Sequence, residues 1–297
     1  MQRLNPFTYF EPTTLAEAFD ILSEKGDNAF PFAGGTDLLV RMKRGLIKPS
    51  VLVNLKRIPS LQNIYQEPGK GTTIGALASI HTVNEKSAIK EYHPVLSQAA
   101  GKVGSPSIRN LGTIGGNIGR ASPASDMAPP LMVLGASVAT EGPFGKKEWD
   151  IEEFITGPGS TKLSKEELIT SFFLPEMAPR SGTAYLKLGR RKGMDVALVG
   201  VAVLLTASKD GSEAEDARIA MASVGPVPLR SRRAEELLLS GTLNEELFQK
   251  AARAAAEDAR PITDLRASSS YRTEMVRVLT HRAILTALNS AQGGKKE

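Results

Sequence analysis

The sequence predicts an α+β protein in two parts, divided near residue 178. Three observations carry this. Residues 1–100 interleave short apolar, strand-like runs with segments of helical period. Residues 101–130 are then dominated by Gly, Ser, Pro and Asn, with few long apolar runs. Such a stretch cannot bury much by itself and reads as a loop system or a ligand-wrapping segment. A second change of texture comes at residues 175–182, after which apolar β-branched runs give way to three helical segments. A chain of 297 residues is long enough for two domains, each with a real core.

The elements follow in order. Leu15, Ala18, Phe19 and Leu22 share one helix face, and Thr14 stands where an N-cap is needed. Phe30, Pro31 and Phe32 form a short extended run that ends at Gly34-Gly35, and residues 38–43 read as a helix. Residues 51–53 and 72–75 read as buried strands, residues 83–89 and 94–100 as helices, and residues 167–174 as a closing strand. Beyond the boundary, residues 184–188, 196–207 and 217–224 suit a small antiparallel sheet. Residues 235–239, 245–259 and 270–288 suit helices, the second capped by Asn244 and stopped just before Pro261. The expected domains are therefore 1–177 and 178–290, with residues 293–297 a frayed, charged end.

Composition removes several function classes. The chain has no cysteine, which excludes disulfides, cysteine nucleophiles and cysteine-held zinc or iron–sulfur clusters. His81, His93 and His281 have no metal-ligand spacing and read as surface or capping residues. There is no secretory leader in the first residues and no apolar run of spanning length, which fits a cytoplasmic protein. The net charge of +5 raises the question of nucleic acid, but the basic residues are scattered and only 5% of residues are aromatic. The short basic clusters, residues 230–233 among them, read as a solvated face or as a docking rim for an acidic partner. Glu152-Glu153 and Glu166-Glu167 read as surface charge pairs. No serine has a histidine signature beside it, so a serine nucleophile is not indicated.

Two glycine-rich segments carry the chemistry. The first, Pro31-Phe32-Ala33-Gly34-Gly35-Thr36-Asp37-Leu38, joins an extended run to a helix. Adjacent glycines let consecutive N–H groups converge into an anion-binding nest at a helix start, and Thr36 can add a hydroxyl. A tight turn with a helix cap is the plainer reading of this motif alone. The second is Gly112-Thr113-Ile114-Gly115-Gly116-Asn117-Ile118-Gly119, running on to Ala121-Ser122-Pro123-Ala124-Ser125-Asp126. It has neither the G-x-G-x-x-G spacing nor the Gly-Lys-Ser/Thr of a P-loop. It is expected to offer a second N–H cluster, hydroxyls and one carboxylate. Two facing nests could hold a pyrophosphate from both sides, and Asp126 could accept from ribose or ribityl hydroxyls.

On these residues the chain resembles a known family. Ala33 to Asp37, Gly104-Ser105-Pro106-Ser107-Ile108-Arg109-Asn110 leading into Thr113 to Asn117, and Ala121 to Asp126 are similar to the FAD-binding medium subunit of the xanthine dehydrogenase and carbon monoxide dehydrogenase (molybdenum hydroxylase) family. Lys165 to Ile169, Tyr185-Leu186-Lys187 with Arg190-Arg191 and Asp195-Val196-Ala197, and Ser223 to Arg230 extend the resemblance over nearly the whole chain.

The resemblance implies a vanillyl-alcohol-oxidase-type FAD domain in two subdomains, plus a small C-terminal α+β domain. It implies FAD as cofactor. Phe32, Ala33, Gly34, Gly35 and Thr36 would cradle the pyrophosphate together with Thr113, Gly116 and Asn117, and Asp37 and Leu38 would also contact the cofactor. Val103 would line the adenine side, and Ser122 and Asp126 the ribose or ribityl side. Ile169 would lie by the isoalloxazine, with Lys187 near it and Tyr185 on or beside the ring. A solvated lysine at a domain edge is the alternative for Lys187. Partners would be an iron–sulfur small subunit and a molybdopterin large subunit, in a dimer of heterotrimers, with the electron acceptor unspecified. Two alternatives differ in class: a stand-alone flavin oxidoreductase with its own acid or base, and a basic nucleic-acid-binding module.

Overall fold

A computed structural model describes residues 4–191 and 193–293 of the chain. The chain opens with β1 (Thr8–Phe10), α1 (Leu15–Lys25), β2 (Ala29–Phe32), α2 (Leu38–Lys43) and β3 (Val51–Asn54). The strands form a parallel sheet in the order β1-β3-β2. Helix α1 forms as expected: the Thr14 hydroxyl accepts from the Glu17 N–H, and Ala18, Phe19 and Leu22 are buried beside β3. β3 is buried throughout, as its central position in a parallel sheet requires.

The chain continues through β4 (Ile64–Glu67), β5 (Gly71–Gly75), α3 (Ile80–Glu85), α4 (Ser87–Tyr92), α5 (Pro94–Lys102), α6 (Pro106–Leu111), α7 (Ile114–Gly119) and α8 (Ala128–Val133). It then runs through β6 (Ser137–Gly142), β7 (Gly145–Asp150), α9 (Ile151–Phe154), β8 (Ile155–Gly157), β9 (Ser160–Thr161) and β10 (Leu168–Pro175). A five-stranded antiparallel sheet forms in the order β4-β5-β10-β6-β7. Its closing strand β10 sits in the middle of the sheet. Residues 83–89 are not one helix: the chain breaks at Lys86, extended at φ −61° and ψ 123°, between α3 and α4. The 101–130 segment is more regular than expected. Ser105 and Thr113 cap α6 and α7, helices of six residues each, too short to show a period in the sequence. Ile114 and Ile118 of α7 are fully buried, so packing rather than propensity holds it.

The second unit is β11 (Ser181–Leu188), β12 (Val199–Ala207), β13 (Ala214–Ala222), β14 (Leu229–Arg230), α10 (Arg232–Leu239), α11 (Glu245–Asp258) and α12 (Ser269–Ala291). The strands make an antiparallel sheet in sequence order. All nine residues of β12 are buried, because α12 covers one face and helices of the first unit the other. The α+β expectation holds. Asn244 caps α11, accepting from the Leu247 N–H at 2.9 Å. The tail beyond residue 293 lies outside the described residues.

Four residues read as surface groups are drawn into the structure: His93, Arg230, Glu152 and Glu167. His93 is fully buried and its Nε2 pairs with the Thr72 hydroxyl at 2.8 Å. Burial pushes its pKa down to about 4. In the basic cluster at 230–233, Arg232 and Arg233 are more than half exposed, as a solvated face requires, but Arg230 is not. Arg230 is enclosed between Glu152 and Glu235, each at 2.8 Å, and Arg232 and Arg233 pair with Glu152 and with Glu257 and Asp258. Glu152 is thus an inter-unit staple rather than a surface charge. Glu167 is likewise buried, against Lys147.

Candidate cofactor-binding site

The site forms where the loop after β2 meets the loop before α7. Gly35 takes φ +69°, and a Cβ there would come within 2.7 Å of the Phe32 ring. Gly34 faces the other way. A Cβ on it would lie 2.8 Å from both the Leu111 carbonyl carbon and the Gly112 Cα, closer still to the Leu111 oxygen. Only glycine lets the two loops touch at this point. Asp37 adds a charged tie, with its carboxylate 2.9 Å from Arg120 Nε.

The two loops are not equivalent. Among the described residues, the N–H groups of Gly34, Gly35, Thr36, Asp37 and Leu38 donate to no backbone acceptor. Five consecutive donors at a turn into a helix are thus left without a backbone partner, which is what an anion nest of the kind the first motif suggests requires. The second loop contradicts the expectation of a matching N–H cluster. Ile114 N–H donates to the Ala78 carbonyl at 3.1 Å and Gly115 N–H to the Ala76 carbonyl at 2.8 Å. Gly116 N–H donates to the Thr113 hydroxyl at 3.0 Å, and Asn117 N–H to the Thr113 carbonyl at 2.9 Å. Gly115 is there for packing, since a Cβ would meet Ala76 at 2.7 Å. What this loop offers a ligand is side chains, the Thr113 hydroxyl and the Asn117 amide. The Asn117 carbonyl oxygen is taken up by the Ser125 hydroxyl.

Between the loops runs a cleft of about 640 Å³, within the range of small-molecule sites. Ala33, Gly34, Gly35, Thr36, Asp37, Leu38, Val103, Thr113, Gly116, Asn117, Ser122, Asp126 and Ile169 all line it. Phe32, Tyr185 and Lys187 do not. The Phe32 ring props Gly35 from beneath, edge-on to Tyr9 at 6.2 Å. Tyr185 and Lys187 reach the site from β11 but stop behind Asp126. The Tyr185 hydroxyl donates to Asp126 Oδ1 and the Lys187 ammonium to Asp126 Oδ2, both at 2.7 Å. Lys187 also donates to the Lys102 carbonyl at 2.9 Å. Its side chain is 8% exposed, so it is not a solvated edge lysine.

Burial pushes the Asp126 carboxyl above the ordinary carboxylate range, and Lys187 and Tyr185 pull it back. Burial and the Asp126 charge push the Tyr185 phenol well up, so it remains a hydrogen-bond donor.

Sequence reasoning missed the apolar lining supplied by Leu55, Ala76, Leu77, Ile80, Leu163 and Leu168. Met194 and Val196, from the β11–β12 connection, stand at the rim with 65% and 50% exposure. Leu168 and Val196 lie within the motifs that carry the resemblance but were given no site role, and no motif marks the others. Arg120 was also missed, although it follows the second glycine segment directly.

A cleft with a backbone anion nest at one wall and a buried carboxylate at another has the donors and acceptors for a dinucleotide. Comparison with known proteins decides which. Residues 5–177 match the family model described as "FAD binding domain in molybdopterin dehydrogenase", and residues 184–287 match "CO dehydrogenase flavoprotein C-terminal domain". The chain belongs to this family of FAD-binding medium subunits of molybdenum hydroxylases. Its relatives include the glyceraldehyde dehydrogenase medium chain of Sulfolobus acidocaldarius, 34% identical, covering 93% of this chain and 96% of the relative. The carbon monoxide dehydrogenase medium chain of Hydrogenophaga pseudoflava is 33% identical, with 95% and 96% covered. The solved carbon monoxide dehydrogenase of that organism, lacking the Mo-pyranopterin moiety, superimposes with a TM-score of 0.92, covering 96% of this chain and 98% of that one. FAD is the cofactor, and the free donors of residues 34–38 fit its pyrophosphate. Among the described residues no helix is long and apolar enough to cross a membrane.

Proposed function

We propose that the chain is the flavin-carrying electron-transfer subunit of a molybdenum hydroxylase or dehydrogenase complex. In this reading it receives electrons from an iron–sulfur subunit and passes them to an external acceptor. The observation that carries it is the cleft joining the free N–H nest to the Asp126 carboxylate, in a chain of this family. Substrate oxidation falls to a molybdopterin large subunit, in a cytoplasmic dimer of heterotrimers.

Bound FAD would supply redox chemistry that joins one-electron and two-electron partners. The chain's residues bind and orient it. The N–H groups of 34–38 and the Thr36 hydroxyl hold the pyrophosphate, assisted by the Thr113 and Asn117 side chains. Val103 lines the adenine end, Asp126 accepts from ribose or ribityl hydroxyls, and Ile169 packs beside the ring. Ser122 borders the same end as Asp126. Tyr185 and Lys187 act through Asp126 by fixing its carboxylate.

The test is to purify the chain under gentle conditions and record its visible spectrum. FAD near one per chain, with iron–sulfur and molybdenum subunits recovered on co-expression of its gene neighbours, is the expected result. A colourless chain that takes up no FAD, alone or co-expressed, overturns the reading.

A further inference from the structure

We infer that Ser223 is a positioning residue for the cofactor cleft, and that Arg272 holds it in place. The inference rests on the flavin reading above and concerns how the second unit shapes a site built mainly by the first. Ser223 follows β13 in a left-handed conformation, φ +66°, which a residue with a Cβ adopts only when its surroundings compel it. Its contacts show what compels it. The Ser223 N–H donates to the Pro123 carbonyl at 2.7 Å, and the Ser223 hydroxyl donates to the Ala197 carbonyl at 2.8 Å. Pro123 lies between Ser122 and Ala124, and Ala197 directly follows Val196; all three neighbours line the cleft. One residue, itself outside the cleft, therefore ties the cleft's Ser122–Asp126 wall to its Met194–Val196 rim.

Arg272 backs this knot. It is 2% exposed on α12, and its Nη1 donates to the Leu198 carbonyl at 2.8 Å and to the Ser223 carbonyl at 3.3 Å. Its Nη2 pairs with Asp264 at 2.8 Å, and Asp264 is clamped in turn by Arg266. Arg266 and Arg272 hold the Asp264 carboxyl far below its ordinary range, so the clamp is ionised at any working pH. A buried guanidinium gripping the carbonyls at the start of β12 and just after β13 leaves the Ser223 peptide little room to flip.

The experiment measures two quantities on the full chain: FAD dissociation constant by flavin fluorescence, and hydrogen exchange of residues 121–126 and 194–198 without FAD. The variants are Ser223→Ala, which keeps the N–H but loses the hydroxyl tie, and Arg272→Lys. Thr280→Val is the control, removing a buried hydroxyl of α12 that has no hydrogen-bond partner among the described residues and does not line the cleft. Ser223→Ala is expected to weaken FAD binding about tenfold and to speed exchange in both segments. Arg272→Lys, with one donor group in place of the fork, should do the same to a smaller degree. Thr280→Val should leave both readouts unchanged. Unchanged exchange and affinity in Ser223→Ala overturn the inference, as does equal loss in Thr280→Val. A wild-type chain that binds no FAD, alone or co-expressed with its gene neighbours, refutes the flavin reading instead, and exchange then still tests the tie.

Discussion

Replacing Gly34 by alanine is expected to damage the cofactor site without unfolding the chain. The backbone of Gly34 needs no special φ; the demand is purely for space. An added Cβ would stand 2.8 Å from the Leu111 carbonyl carbon and the Gly112 Cα. Carbon atoms pack at about 3.5–4.0 Å, so one loop must retreat by about 1 Å. Both contacts are backbone atoms, and no rotamer change relieves them. Overpacking of this kind costs about 1–3 kcal/mol. Here that strain falls on the junction between the N–H nest and the Thr113–Asn117 loop. FAD affinity should therefore fall by roughly 10- to 100-fold, as 1.4 kcal/mol is tenfold in binding. The thermal midpoint should move only a few degrees. Fluorescence titration with FAD and a melting curve measure the two. Gly241→Ala is the matched control, because a Cβ there meets nothing within 4 Å. Unchanged affinity in Gly34→Ala would refute the idea that contact between the loops forms the site.

Further outcomes follow from the same structure. Lys187→Met leaves the buried Asp126 carboxylate facing only Tyr185 and should cost about 3–5 kcal/mol, while Lys187→Met with Asp126→Asn should lose clearly less than the two single losses combined; urea unfolding of the set checks this. His93, with a folded pKa of about 4 against an ordinary 6.5, takes up its proton more readily when unfolded, so its contribution falls as pH drops from about 6.5 to about 4, by about 3 kcal/mol in all. His93→Gln should flatten that part of the stability profile, and identical profiles for the two proteins would exclude it as the source. Gly182→Ala should lower the melting point sharply, since its Cβ would come 3.0 Å from the Ala291 Cα and closer to the Ala287 carbonyl oxygen of α12.

The elements legible in the sequence were those with a strong local signal. Helix α1 has both a cap and an apolar face, α11 has Asn244 and a following Pro261, and β12 is one long apolar run. The edge strand β7, with Lys146, Lys147 and Glu148 exposed, and the short strands β1, β8 and β9 have too few residues to show a period. The site was legible in its glycines and its carboxylate. Their division of labour was not, because Gly34 and Gly115 look alike in sequence. Whether a glycine frees an N–H or admits a neighbour depends on residues 76–78 and 111–112, which approach through the tertiary fold. The same holds for Tyr185 and Lys187. Their place behind Asp126 is set by β11 packing on α5, and nothing near them in sequence records it. Arg230 was misread because Glu152, one of its two acidic partners, is supplied from the other unit.

The central position of β10 has a consequence for how the protein is made. Pro175 pairs with Gly71 on one side and Phe173 with Ser137 on the other, so β5 and β6 each keep an open side until residue 175 has emerged from the ribosome. At about 5–20 residues per second the nascent chain spends several seconds with these strands unpaired. Leu168 and Ile169, cleft residues of that strand, arrive in the same moment, and the partners of Asp126 only after them. The residues that line the cofactor pocket are therefore complete only once the chain has been made as far as Val196, with the helices of the second unit still to come. A ribosome stalled before residue 168 would hold a chain with both glycine loops made but without the Leu168–Ile169 part of the cleft, and its exposed strand edges are a target for chaperones.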